Sequence, residues 1–139
     1  KTTVEELGVD EKIASFVLPL GMTINMNGTA IMQVIATLFI AGCAGYSISF
    51  TQLVVIALLA LIASAGTPAA PGSGAIILFT ILSGLGYVND AAMLAYSLIL
   101  AINRPIEMLV TALNVVGDSA TSIYVAKSEG VLNEDVYNA

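Results

Sequence analysis

Gly21-Met22-Thr23-Ile24-Asn25-Met26-Asn27-Gly28-Thr29 is a polar island in an apolar run. No Asp, Glu, Lys, Arg or His occurs from residue 13 to residue 89, and lipid favours an uninterrupted helix in such a run. This stretch carries two asparagines, two threonines and two glycines. A glycine inside a helix costs about 1 kcal/mol relative to alanine. Asn and Thr side chains compete for backbone hydrogen bonds and favour helix ends. The stretch therefore reads as a break in a membrane helix. Irregular backbone at membrane depth persists only where protein buries it or where it lines a water-filled cavity. The break predicts a binding site near the bilayer middle, built partly from freed carbonyl oxygens.

Composition sets the surroundings of that break. Of 139 residues, 58% are hydrophobic and 10% are charged, and mean hydropathy is +0.94. A soluble domain carries roughly 25% charged residues. The charge-free run far exceeds the ~20 residues that one crossing needs, so an all-α integral membrane protein with several membrane segments is expected. Net charge is −6, with the acids gathered at the two ends (Glu5, Glu6, Asp10, Glu11; Glu129, Glu134, Asp135). No basic cluster exists to bind a nucleic-acid backbone. One cysteine, Cys43, and no histidine exclude an internal disulfide and a Cys/His metal set. The chain opens on Lys1 with neither an initiator Met nor a signal-peptide pattern. It reads as the interior of a longer protein.

Residues 1–12 are a polar lead-in, partly helical. Residues 13–44 form a broken transmembrane helix, interrupted at 25–28, with Pro19 favouring a kink or helix end one turn earlier. Gly42, Gly45, Tyr46 and Ser47 make the next turn. Two short apolar arms, together spanning 50–85, flank a tip at 64–74 rich in Gly, Pro and hydroxyl side chains, which excludes helix there. That arrangement predicts a re-entrant hairpin. Asp90 is a suitable N-cap for a transmembrane helix over 90–127, and 128–139 is a tail. Both ends then lie on one side, and Lys1, Lys12 and Lys127 make it the cytoplasmic side.

The last helix carries Arg104, Glu107 and Asp118, which would be costly against lipid. Glu107, Thr111, Asn114 and Asp118 follow steps of four, three and four, so they share one face. Arg104 can pair with Glu107. Asp118 has no basic partner near it in sequence, and a bound cation is its natural counter-charge. Carbonyl oxygens and one carboxylate suit a small hard cation such as Na⁺. Half-helix N-termini suit a substrate carboxylate. A flexible glycine-rich tip suits a lid. No nucleophile–base pair is present, so an enzyme is not expected.

Asn25-Met26-Asn27-Gly28-Thr29, the tip from Ser64-Ala65-Gly66-Thr67 to Pro71-Gly72-Ser73-Gly74, and Asn114-Val115-Val116-Gly117-Asp118 resemble, in order and spacing, the sodium:dicarboxylate symporter family of glutamate and neutral amino acid transporters. The resemblance covers nearly the whole chain, as the C-terminal part of a transport domain. It implies a sodium-coupled symporter of amino acids or dicarboxylates in the plasma (cytoplasmic) membrane. A homotrimer with an elevator mechanism, a hairpin gate, and partner transport and scaffold helices in the rest of the protein are also implied.

The resemblance further implies one sodium site at backbone oxygens of Gly21, Asn25 and Asn114 with the Asp118 carboxylate. A second would use backbone oxygens of Thr23, Ser64, Ala65 and Thr67. Substrate would meet Thr29, Ala70, Gly74, Thr111 and Asn114, with Glu107 at the position of an aspartate that holds the substrate amino group. Three departures stand out. Asn27 replaces an acid of a third sodium site. Val110 replaces an arginine of acidic amino acid transporters, and Arg104 is nearly two turns away, ~9 Å at 1.5 Å per residue. Glu107 is one methylene longer than the usual aspartate. An ion channel or a non-transporting membrane interaction module is the alternative. Saturable, cation-dependent uptake separates transport from either.

Overall fold

The computed structural model describes residues 1–67 and 70–139, and the described residues are helical with no strand. Among the described residues seven helices follow in order: α1 (Thr2–Glu5), α2 (Glu11–Ile24), α3 (Asn27–Cys43), α4 (Phe50–Ala65), α5 (Ser73–Leu85), α6 (Asp90–Ser128) and α7 (Glu134–Tyr137). Two stretches are long and apolar enough to cross a membrane by length and composition, Glu11–Cys43 and Asp90–Ser128. The 16 residues of α4 and 13 of α5 rise only about 24 and 20 Å, short of the ~30 Å hydrocarbon layer.

Local chemistry sets the helix starts. The Asp10 side chain caps α2 by accepting from Lys12 N at 2.8 Å. Ser49 and Gln52 form a reciprocal capping box on α4. The α6 cap is Asn89, whose Oδ1 accepts from Ala92 N at 2.8 Å. This corrects the expectation of Asp90, which is instead the first helical residue. There its charge still favours the positive end of the helix dipole.

The break is tighter than its polar residues suggested. Only Asn25 and Met26 leave helical geometry, with φ/ψ of −92/70° and −101/53°. Pro19 lies inside α2 and does not end it. The end coincides with Asn25, whose side chain is drawn across to α6. Pro105 likewise lies within an unbroken α6. Asn103 and Arg104 both bond Glu107 across that turn, bracing it where the proline removes a backbone donor. At the far end of α3 the helix continues through Gly42 to Cys43, so the turn begins later, at Ala44 and Gly45. The nonhelical tip is also shorter than 64–74. The first arm keeps Ser64 and Ala65, the second starts at Ser73, and residues 68 and 69 lie outside the described set.

The main core lies where α3, α4 and α5 meet. Ile40, Ile56, Leu78 and Leu82 are fully buried there, and Tyr87, just before α6, closes it together with Ala92 and Ala95 in the first turns of α6. Tyr46 stacks on Tyr87 with ring centroids 4.5 Å apart. A second cluster joins the two ends of the chain. Val9, Ala14 and Ala126 are buried, with Leu7 and Leu132 packed on them. The tail is therefore partly ordered: α7 forms, and Asn133 N donates to Gly8 C=O at 2.8 Å.

Candidate functional site

The α2–α3 break crosses the polar face of α6, and glycines allow the approach. A Cβ on Gly28 would sit 2.6 Å from Val110 C=O, and one on Gly117 would sit 2.7 Å from Asn25 Nδ2. A Cβ on Gly21 would run into the Asp118 carboxylate. With hydrogen in those places, side chains of α6 repair the break. Asn114 Oδ1 accepts from Gly28 N–H at 2.8 Å, satisfying a donor left over at the start of α3. Its Nδ2 reaches Thr29 Oγ1 at 3.2 Å and Met26 Sδ at 3.3 Å. Asn25 Nδ2 donates to Asp118 Oδ1 at 2.8 Å.

Beside this crossing, residues of the α4–α5 connection line a cavity of about 740 Å³. Its wall includes nine of the residues singled out from sequence: Asn25, Thr29, Thr67, Ala70, Gly74, Glu107, Thr111, Asn114 and Asp118. Four others lie off the wall. Gly21 packs on the Asp118 carboxylate. The exposed Thr23 hydroxyl donates to Leu20 C=O, and buried Ser64 donates to Leu61 C=O. Ala65 is exposed at the end of α4. Met22, Met26, Met32, Met108 and Val110 give the rest of the wall an apolar character.

Charge within the cavity is uneven. Glu107 carries the larger share of bonds: Gly72 N–H at 3.0 Å and Asn103 Nδ2 at 2.8 Å to Oε1, and Arg104 Nη1 at 3.3 Å to Oε2. Arg104 lines the same cavity as Val110, but its side chain is 73% exposed. Asp118 is 5% exposed and has no ion pair among the described residues. No three acidic, His or Cys side chains gather among those residues. A cation beside Asp118 would therefore draw on that carboxylate and not on a cluster of acidic side chains among the described residues.

Two contributors escaped the sequence reading. Gln33 is fully buried and donates through Nε2 to Gly74 C=O at 2.7 Å, fixing the start of α5. Asn103 is buried and orients Glu107. Steps of four from Thr29 through Gln33 to Thr37 would have revealed the first as part of a polar stripe. Asn103 extends the α6 stripe back one step of four from Glu107.

Comparison with known proteins agrees with this architecture. The model of the sodium:dicarboxylate symporter family matches residues 1–128. The chain is 40% identical over 116 residues to an excitatory amino acid transporter of Onchocerca volvulus, covering 83% of this chain and 23% of that protein. It is 38% identical over 128 residues to excitatory amino acid transporter 2 of Homo sapiens, covering 90% of this chain and 22% of that protein. The chain thus spans less than a quarter of the length of these curated relatives. They are transporters by name, not enzymes, and the spans Glu11–Cys43 and Asp90–Ser128 suit an integral membrane protein. The chain belongs to the sodium:dicarboxylate symporter family.

Proposed function

We propose that this chain forms the ion and substrate site of a sodium-coupled symporter for amino acids or dicarboxylates. The observation that carries the reading is Asp118. It is a buried carboxylate without an ion-pair partner among the described residues, beside a helix break in a cavity lined by residues of the α4–α5 connection. A cation supplies the missing counter-charge, held by Asp118 with backbone oxygens of Gly21, Asn25 and Asn114. Backbone oxygens of Thr23, Ser64, Ala65 and Thr67 hold a second. Substrate takes the space between Thr29, Ala70, Gly74, Thr111 and Asn114, its carboxylate toward a half-helix N-terminus. Its ammonium faces Glu107.

In this reading α4 and α5 are a re-entrant gate, and sodium favours the closed form because it binds that form more tightly. The chain is the C-terminal part of a transport domain. It moves as an elevator against scaffold helices within a homotrimer, in the plasma membrane. The packing of both chain ends into one cluster supports their lying on the same side, and Lys1, Lys12 and Lys127 favour the cytoplasmic one.

The test is uptake of labelled amino acids and dicarboxylates by the full-length carrier in proteoliposomes. An inward sodium gradient should drive saturable accumulation that collapses when the gradient is dissipated. Equal uptake with sodium and with choline would overturn the sodium-coupled reading.

A further inference from the structure

Among the described residues, three hydrogen bonds to other helices hold the start of the hairpin's second arm. Gln33 Nε2 donates to Gly74 C=O at 2.7 Å, and Tyr96 OH donates to Ala75 C=O at 3.0 Å. The third differs in kind. Gly72 N–H donates to Glu107 Oε1 at 3.0 Å, and the bond crosses from the hairpin tip to the cavity wall on α6. Gly72 caps α5 with φ +84°, a conformation suited to glycine, and having no side chain it makes no side-chain cap bond. Glu107 fills the role from a distance, setting an anion at the helix's positive end. Asn103 and Arg104 fix its orientation.

We propose that Glu107 is a latch that holds the hairpin closed over an empty cavity. A substrate ammonium drawn to Oε1 then competes with the Gly72 N–H. This deepens, and rests on, the reading of Glu107 as the ammonium site. One carboxylate would serve in turn as gate holder and as ligand. Its side chain is 17% exposed, so the bond is partly screened from water, and a charge-assisted bond is stronger than a neutral one. The glutamate's length is the decisive feature. An aspartate would withdraw the carboxylate by roughly 1.5 Å, one C–C bond, taking the 3.0 Å contact out of hydrogen-bonding range.

The test uses the full-length carrier with Cys43→Ser and spin labels on Ile76→Cys of α5 and Leu109→Cys of α6. Distances are read with neither sodium nor substrate present. The parent carrier should show a mainly closed distribution. Glu107→Asp and Glu107→Ala should raise the open-to-closed ratio roughly tenfold or more, the scale of a lost hydrogen bond to a charged group. Glu107→Gln keeps the reach and an acceptor oxygen, and should fall between. An empty Glu107→Asp carrier as closed as its parent overturns the latch. Glu107→Gln opening further than Glu107→Asp overturns the part assigned to the glutamate's length, because charge rather than reach would then hold the tip. The measurement needs no transport, so a carrier that fails in uptake but keeps this order separates failure of the proposed function from failure of the latch.

Discussion

Asp118 and Asn27 lie on opposite sides of the charge balance at the break. Asp118 is buried and receives one amide hydrogen bond, from Asn25 at 2.8 Å. A lone buried carboxylate is costly unless a cation or proton compensates it. Asp118→Asn keeps the shape, removes the charge, and should raise the sodium concentration for half-maximal uptake at least tenfold. A sodium titration of uptake checks this, and an unchanged midpoint would remove Asp118 from the coupling site. Asn27 is exposed and neutral, and its Nδ2 packs toward the Cα of Gly117. Asn27→Asp adds the acid that the family resemblance places there. The number of sodium ions per substrate, read from reversal potentials, should rise if the remaining ligands lie elsewhere in the protein. A constant ratio would show that the missing acid is not what limits the ion count.

At the scale of elements, the crossing of the break with α6 depends on absent side chains as much as on present ones. Gly28→Ala would drive a methyl to 2.6 Å from Val110 C=O and 3.0 Å from Leu113 Cβ. Overpacking of that kind costs about 1–3 kcal/mol. Gly42→Ala, in open space near the end of α3, should be neutral or stabilising by up to ~1 kcal/mol. Thermal unfolding of the two variants should therefore move in opposite directions or clearly differ, and equal shifts would refute the close-packing account. The break, the short helices and the stripe from Glu107 to Asp118 were legible because a polar residue in an apolar run is costly unless it ends a helix or faces a polar interior. Helix ends were less legible, because tertiary bonds decide them. Pro19 and Pro105 are carried within helices, Asn89 rather than Asp90 makes the cap, and Asn114 repairs the start of α3 from 86 residues away. The polar stripe from Thr29 to Thr37 marks Gln33 as inward-facing, but its partner Gly74 lies in a segment that no local pattern pairs with it.

Across the whole molecule, the two chain ends clamp the start of α2 to the end of α6; α2 leads into Asn25 and α6 carries Asp118. No residue pattern signals this clamp, because one strand of it is a backbone bond, Asn133 N to Gly8 C=O at 2.8 Å. Lys127 and Glu134 add an exposed ion pair at 3.7 Å, worth at most ~1 kcal/mol. Buried Val9 and Ala126 with their neighbours therefore contribute the larger part. Gly8 and Gly130 separate backbone strain from loss of this docking. Both have positive φ, +67° and +69°, so alanine is strained at each by roughly 1–2 kcal/mol. At Gly130 nothing lies within 4 Å of an added Cβ, whereas at Gly8 it would collide with Asn133 C=O and approach Val136 Cβ to 3.3 Å. Gly8→Ala should consequently cost more stability than Gly130→Ala by about 1 kcal/mol or more. It should also raise proteolysis within 129–139, which Gly130→Ala raises less. Paired thermal unfolding and limited proteolysis of the full-length protein measure both effects. Equal losses in the two variants would mean that the ends contribute only local strain and that the clamp does not hold α2 against α6.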